Sequence, residues 1–155
     1  MAGSEAVRVS VSADGVHRKP MTPLFREVHR WMALPFAWGE TDCCMVVCDW
    51  VLAVRGFDPG ADLRFAYHSP GECQRLTGWF TDPVTTFACR MGPLPRVQQA
   101  MRGDVGILRM DIGGGVMRPH GALCLGRSWA VKGERGVVSF DRPCVMAAWG
   151  VGYVD

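Results

Sequence analysis

The run Pro35-Phe36-Ala37-Trp38-Gly39-Glu40-Thr41-Asp42-Cys43-Cys44-Met45-Val46-Val47-Cys48-Asp49-Trp50-Val51 decides how the rest of this chain is read. Pro35 and Gly39 interrupt regular structure, and Thr41 and Asp42 are residue types that cap helices, so a helix is predicted to start at Asp42 or Cys43. Val46, Val47, Trp50, Val51 and Val54 then recur at helical spacing, which pins the helix into a core until Gly56 ends it. A thiol in the first turn lies beside unpaired backbone N–H groups and the positive end of the helix dipole, and both favour thiolate over thiol. Cys43 is thus a candidate nucleophile on a fixed support. The alternative is an ordinary buried cysteine, since free cysteine packs well in cores.

Outward from this stretch, the composition is that of a folded domain. The chain has 155 residues, 48% of them hydrophobic and 21% charged, with a net charge of +2. That length suits one domain able to bury about two-thirds of its unfolded surface. Lys and Arg are scattered with no run of four, so no nucleic-acid footprint or polybasic membrane patch is visible. No apolar stretch is long enough to span a bilayer. Glu5, Arg8, Asp14, His17, Arg18 and Lys19 occupy the region where a signal peptide would need an apolar run, so synthesis in a reducing cytoplasm is expected. The seven cysteines are an odd set without a C-x-x-C pair, so no disulfide framework, metal site or cofactor is expected.

In order, residues 1–20 alternate at Val7, Val9 and Val11 around an Ala13-Asp14-Gly15 turn and read as an N-terminal arm or hairpin, leaving 21–155 as the domain. Thr22-Pro23 opens a helix to about Leu34 with Leu24, Phe25, Val28, Trp31 and Met32 on one face. Ser69-Pro70-Gly71-Glu72 opens another to about Phe80, and Asp82-Pro83 a third closing at Gly92. Pro93 and Pro95 keep the next segment extended. From Gly103 the texture becomes β: strands are read at about 105–110, 119–125, 128–132, 136–140 and 145–150, with glycine turns short enough to imply antiparallel neighbours. Helices followed by a meander give an α+β fold, with N-terminal helices packed on a C-terminal antiparallel sheet of about five strands.

A reactive thiol needs an imidazole within reach. Of the four histidines, His17 lies in the arm, His29 is a solvated helix residue and His68 sits in an irregular segment. His120 instead opens the apolar strand Gly121-Ala122-Leu123-Cys124-Leu125, at the rim of a sheet that the Cys43 helix would cross.

Three segments then fall in a familiar order and spacing: Pro35-Phe36-Ala37-Trp38-Gly39 with Thr41-Asp42-Cys43, Gly103-Asp104-Val105-Gly106-Ile107-Leu108, and His120 through Gly126. Together they resemble the NlpC-type papain-like cysteine peptidases, most of all the compact members among bacteriophage tail proteins, over about residues 22–150. The resemblance implies a papain-like fold, Cys43 as nucleophile with its backbone N–H holding the oxyanion, and His120 as general base. Phe36, Trp38 and Asp42 fall on the substrate side of the site. Peptidoglycan stem peptides are the implied substrate and phage tail hub or tip proteins the implied partners, with the chain carried in the virion. Phe36 stands where such proteins often have a tyrosine, and Cys44 where they usually have serine. The third polar position falls near Lys132, whose ammonium cannot accept a hydrogen bond from His120. Ser128, Glu134 or a backbone carbonyl would have to orient the ring instead.

Three roles compete: a tail-tip peptidase opening peptidoglycan during entry, a weakly active or inactive tail-tip structural component, and a bacterial amidase acting on cytoplasmic muropeptides. The structural role draws on the departures, the apolar arm, and any of Trp79, Phe80, Trp129 and Trp149 that partly faces outward, core burial being the readier place for each.

Overall fold

In the computed structural model, which describes residues 20–155, each α-helix starts at a side-chain cap. The arm expected over residues 1–20 lies, but for Pro20, outside the described residues. Helix α1 (Pro23–Ala33) begins after Thr22, whose hydroxyl accepts from Phe25 N at 3.3 Å. Helix α2 (Cys43–Arg55) begins after Asp42 and stops where Gly56 turns left-handed. Helix α3 (Pro70–Thr77) follows Ser69 and α4 (Pro83–Met91) follows Asp82. Helix α3 ends short of Phe80, because Gly78 adopts φ 75° and the Gln74 side chain takes the Phe80 N–H at 2.8 Å.

The sheet has six antiparallel strands where the sequence suggests about five: β1 (Arg96–Val97), β2 (Val105–Met110), β3 (Arg118–Cys124), β4 (Ser128–Gly133), β5 (Gly136–Asp141) and β6 (Val145–Trp149). The extra strand is the proline-extended segment, which gains partners because Arg96 lies opposite Trp149 and Val97 opposite Ala148. The strand order is β1-β6-β2-β3-β4-β5, so the meander stops at β5 and β6 returns to the far side of β2.

That return fixes the sheet's shape. Only Arg142, Pro143 and Cys144 separate β5 from β6, and four Cα steps reach at most about 14 Å. In a flat sheet β5 and β6 would stand four strand spacings apart, about 19 Å. The sheet therefore curls toward a partial barrel. Alternation along the strands sends Val105, Ile107, Leu123, Ala130, Ala147 and Trp149 to the main core with α1 and α2. Leu108, Ala122, Cys124, Trp129, Val131 and Ala148 form a second cluster on the other face. Trp79, Trp129 and Trp149 are buried, so they are core residues and not outward contacts. Phe80 alone of that group is half exposed.

In α2, Val46, Val47 and Val51 are fully buried, each contributing about 1.5–3 kcal/mol. The side chain of Lys132 on β4 is also buried, and its ammonium donates to the carbonyls of Trp31 at 2.7 Å and Leu34 at 2.6 Å. It thereby ties the C-terminal end of α1 to the sheet, satisfying the Leu34 carbonyl past the helix end and adding a second donor to the Trp31 carbonyl, which already takes Leu34 N at 3.3 Å. Lys132→Met keeps the stem's volume but strands the Leu34 carbonyl, and we expect a loss of about 1–3 kcal/mol in urea unfolding with no change in helix content.

Candidate active site

Everything about the position of Cys43 follows from Asp42. Its carboxylate is 1% exposed and accepts four hydrogen bonds. Oδ1 takes the N–H groups of Cys44 at 3.0 Å and Met45 at 2.9 Å, and Oδ2 takes Gly39 N at 2.8 Å and the Tyr67 hydroxyl at 2.7 Å. The approach loop is held from both sides. Thr41 Oγ1 donates to Pro35 O at 2.6 Å and accepts from Ala37 N at 2.8 Å, while Phe65 N donates to Gly39 O at 2.9 Å. Gly39 has φ +79°, and a Cβ there would lie 2.1 Å from the Tyr67 carbonyl oxygen, so no side chain fits.

The cap leaves one donor over. Cys44 and Met45 give their N–H groups to the Asp42 side chain, and Val46 N bonds Asp42 O at 3.0 Å. Cys43 N has no acceptor among the described residues, at the mouth of the cleft that its own thiol lines.

That cleft, about 320 Å³, brings Cys43, Cys44, Phe36, Trp38, Asp42, His120 and Lys132 to one place. Strand β3 lies flush against the start of α2: a Cβ on Gly121 would sit 3.0 Å from Cys43 O and 3.3 Å from the Cys44 Cα. His120, the preceding residue, lines the same cleft as the Cys43 thiol, and its Nε2 lies 3.2 Å from Met110 O. A carbonyl only accepts, so Nε2 carries the hydrogen and the neutral ring leaves Nδ1 as the basic nitrogen. The orienting group is a backbone carbonyl on β2. Lys132 takes no part, because its ammonium is spent on α1.

The thiol is acidic for three reasons of unequal weight. Cys44 Sγ lies 3.9 Å from Cys43 Sγ, and donation from its S–H is the largest influence lowering the Cys43 pKa, to about 6. Burial opposes this, His120 adds a hydrogen bond and a charge that lower it further, and the Asp42 charge works against it. Cys44 itself is pushed well above the ordinary thiol range by burial and by the neighbouring Cys43. Of the pair, Cys43 ionises and Cys44 remains the donor.

Asp42 acts as a structural cap whose oxygens are fully used, so it has no free lone pair to offer a substrate. Phe36 and Trp38 meet edge-on at 5.1 Å, with Phe80 6.5 Å from Trp38, and form an aromatic wall. Arg118 reaches from β3 to place its guanidinium 5.7 Å from the Phe80 ring. Tyr67 is the site residue that sequence reasoning missed. It falls in a segment without periodicity, and only the tertiary fold delivers its hydroxyl to Asp42. Burial and the Asp42 charge push its pKa far above the usual phenol value. Among the described residues, no cluster of three His, Cys, Asp or Glu side chains is arranged to hold a metal ion.

Two comparisons bear on this arrangement. A family model described as a domain of unknown function, DUF6950, matches residues 17–151. No curated protein matches the chain.

Two outcomes test the geometry. Iodoacetamide labelling of Cys43 should rise with pH through a midpoint near 6, because the thiolate is the reacting form, and Cys44→Ala should move that midpoint upward by removing the strongest acidifying contact. Asp42→Asn puts an amide against four donors. It should lower stability by about 2–4 kcal/mol in urea unfolding, since buried donors are left unpaired.

Proposed function

The chain belongs to the DUF6950 family, and within it we propose a papain-like cysteine peptidase of NlpC type that cleaves peptidoglycan stem peptides. The observation that carries this reading is the convergence of an acidified Cys43 thiol, an unused Cys43 N–H and a ring held at Nε2 in one cleft. Helices followed by a curled antiparallel sheet, with the thiol at a helix start and the imidazole on the facing strand, support the papain-like assignment.

In this reading the Cys43 thiolate attacks the scissile carbonyl carbon, and the carbonyl π pair moves onto oxygen. The Cys43 N–H meets that oxyanion at the positive end of α2. As the tetrahedral centre collapses, the C–N bond breaks and protonated His120 gives the leaving nitrogen its proton. Water then loses a proton to His120 and attacks the thioester, which releases the acid and restores the thiolate. The Met110 carbonyl keeps the ring in the tautomer both steps require. The Cys44 thiol occupies the place of a serine hydroxyl and stabilises the resting thiolate.

The substrate class comes from the resemblance together with the lining of the cleft. Arg118, Arg135 and Glu134 stand around the aromatic wall, a mixed set suited to a short peptide bearing both carboxylates and amines. A setting on a phage tail tip rests on the resemblance alone. The same holds for a purely structural role there.

Incubating purified protein with isolated sacculi, and identifying new amino termini by mass spectrometry, tests the assignment. Wild type should release peptide fragments, Cys43→Ala none, and His120→Ala at a rate about 10²–10⁴-fold lower, all three with the same circular dichroism. No release by wild type, or equal release by Cys43→Ala, would remove the peptidase.

A further inference from the structure

A second concavity of about 700 Å³ lies at the opposite end of the β4–β5 hairpin from the cleft. The cleft is lined at the Gly133↔Gly136 end and this groove at the Ser128↔Asp141 end, roughly 16 Å away along the strands. The two share no lining residue.

The groove exists because β1 is short. It pairs with β6 only at Trp149 and Ala148, and residues 98–100 then leave the sheet. Along Val145, Met146 and Ala147 the outer side of β6 has no strand partner among the described residues. On the inner side a bulge between the Ile107 and Leu108 pairings leaves Met146 as the extra residue. Val97, Ala100, Val145 and Ala148 supply an apolar floor between the diverging segments.

The rim has one sign of charge. Arg96, Arg127 and Arg142 are exposed around it, no Asp or Glu lines it, and none of the three has an ion-pair partner among the described residues. Arg142 holds φ 51°, and its N–H donates to Arg127 O at 3.2 Å, so the curl that returns the chain to β6 also sets two arginines side by side. Arg96 is braced 5.3 Å from the Trp149 ring.

We propose that this groove receives an acidic, extended segment of a partner protein, which adds a strand to the open edge of β6 and sets its carboxylates against Arg96, Arg127 and Arg142. The chain's own first nineteen residues do not complement it: they carry Arg8, Arg18 and Lys19 against Glu5 and Asp14. A single nucleic-acid strand would want an exposed stacking ring, whereas Trp129 in the lining is 5% exposed.

Amide NMR titration of the full chain tests this with four probes: a short acetylated peptide alternating Glu and Val, the same peptide with its central Val replaced by Pro, the Lys–Val counterpart, and oligothymidylate. The Glu–Val peptide should shift resonances of residues 98–100 and 145–148. Arg127→Glu with Arg142→Glu should weaken it about tenfold, two exposed charge reversals being worth about 1.4 kcal/mol together. Cys43→Ala should bind unchanged, which separates this result from the fate of the peptidase. The Pro and Lys–Val peptides should bind at least tenfold more weakly. Absence of shifts with the Glu–Val peptide, equal binding by the Pro version, or equal binding by oligothymidylate at the same residues would each overturn the proposal.

Discussion

A buried carboxylate with four donors holds the half of this molecule around Cys43 in register. Moving an ion such as Asp42 out of water is costly unless hydrogen bonds replace its hydration, and here the chain supplies them from three separate segments. Gly39 comes from the approach loop, Cys44 and Met45 from α2, and Tyr67 from the stretch ahead of α3. Three of these donors, on Gly39, Met45 and Tyr67, are buried and would be left unpaired without the carboxylate, and the fourth, on Cys44, is partly buried. The helix start, the loop before it and the Tyr67 segment are therefore fixed relative to one another by a single side chain, and Cys43 is fixed with them.

The same charge has a cost at the thiol. Asp42 lies next to Cys43 and disfavours its ionisation, as does burial, so the cap that positions the thiol also resists its ionisation. Cys44 and His120 supply the opposing effect. Cys44 contributes because burial and its neighbour hold it protonated, so that it has a hydrogen to give. His120 contributes because Met110 O fixes which nitrogen faces the sulfur. The arrangement divides the labour: a carboxylate for position, a thiol and an imidazole for charge.

How far the sequence discloses this depends on whether the signal is local. The start of α2 at Cys43, its end at Gly56, and the strands from Val105 to Trp149 are legible because caps, left-handed glycines and alternating apolar residues act within a few positions. His120 is legible as a polar residue at the head of an apolar strand. Tyr67 is not, since nothing near it in sequence marks a partner 25 positions away. Met110 is not either, for a backbone carbonyl has no residue code, and only the β2–β3 register brings it to the ring. Lys132 misleads: its place along the chain suggests the third member of a triad, but the length of its side chain carries the ammonium past the site to the end of α1. The sixth strand is hidden because two residues carry too little pattern to be read.

The curl of the sheet links the two concave surfaces while keeping them apart. A three-residue connection from β5 to β6 forces the strands around, which gives the second apolar cluster an inside to fill. Strand β3 then faces α2 at one end, where glycine at position 121 admits the helix backbone at van der Waals distance. At the other end, the tight return leaves β6 with more length than β1 covers. An antiparallel sheet with unequal edge strands exposes main-chain donors and acceptors that something must satisfy, water or another chain. The hairpin between the two surfaces is paired along its whole length, from Ser128↔Asp141 to Gly133↔Gly136, so an unbroken length of sheet separates the β6 edge from the geometry around Cys43.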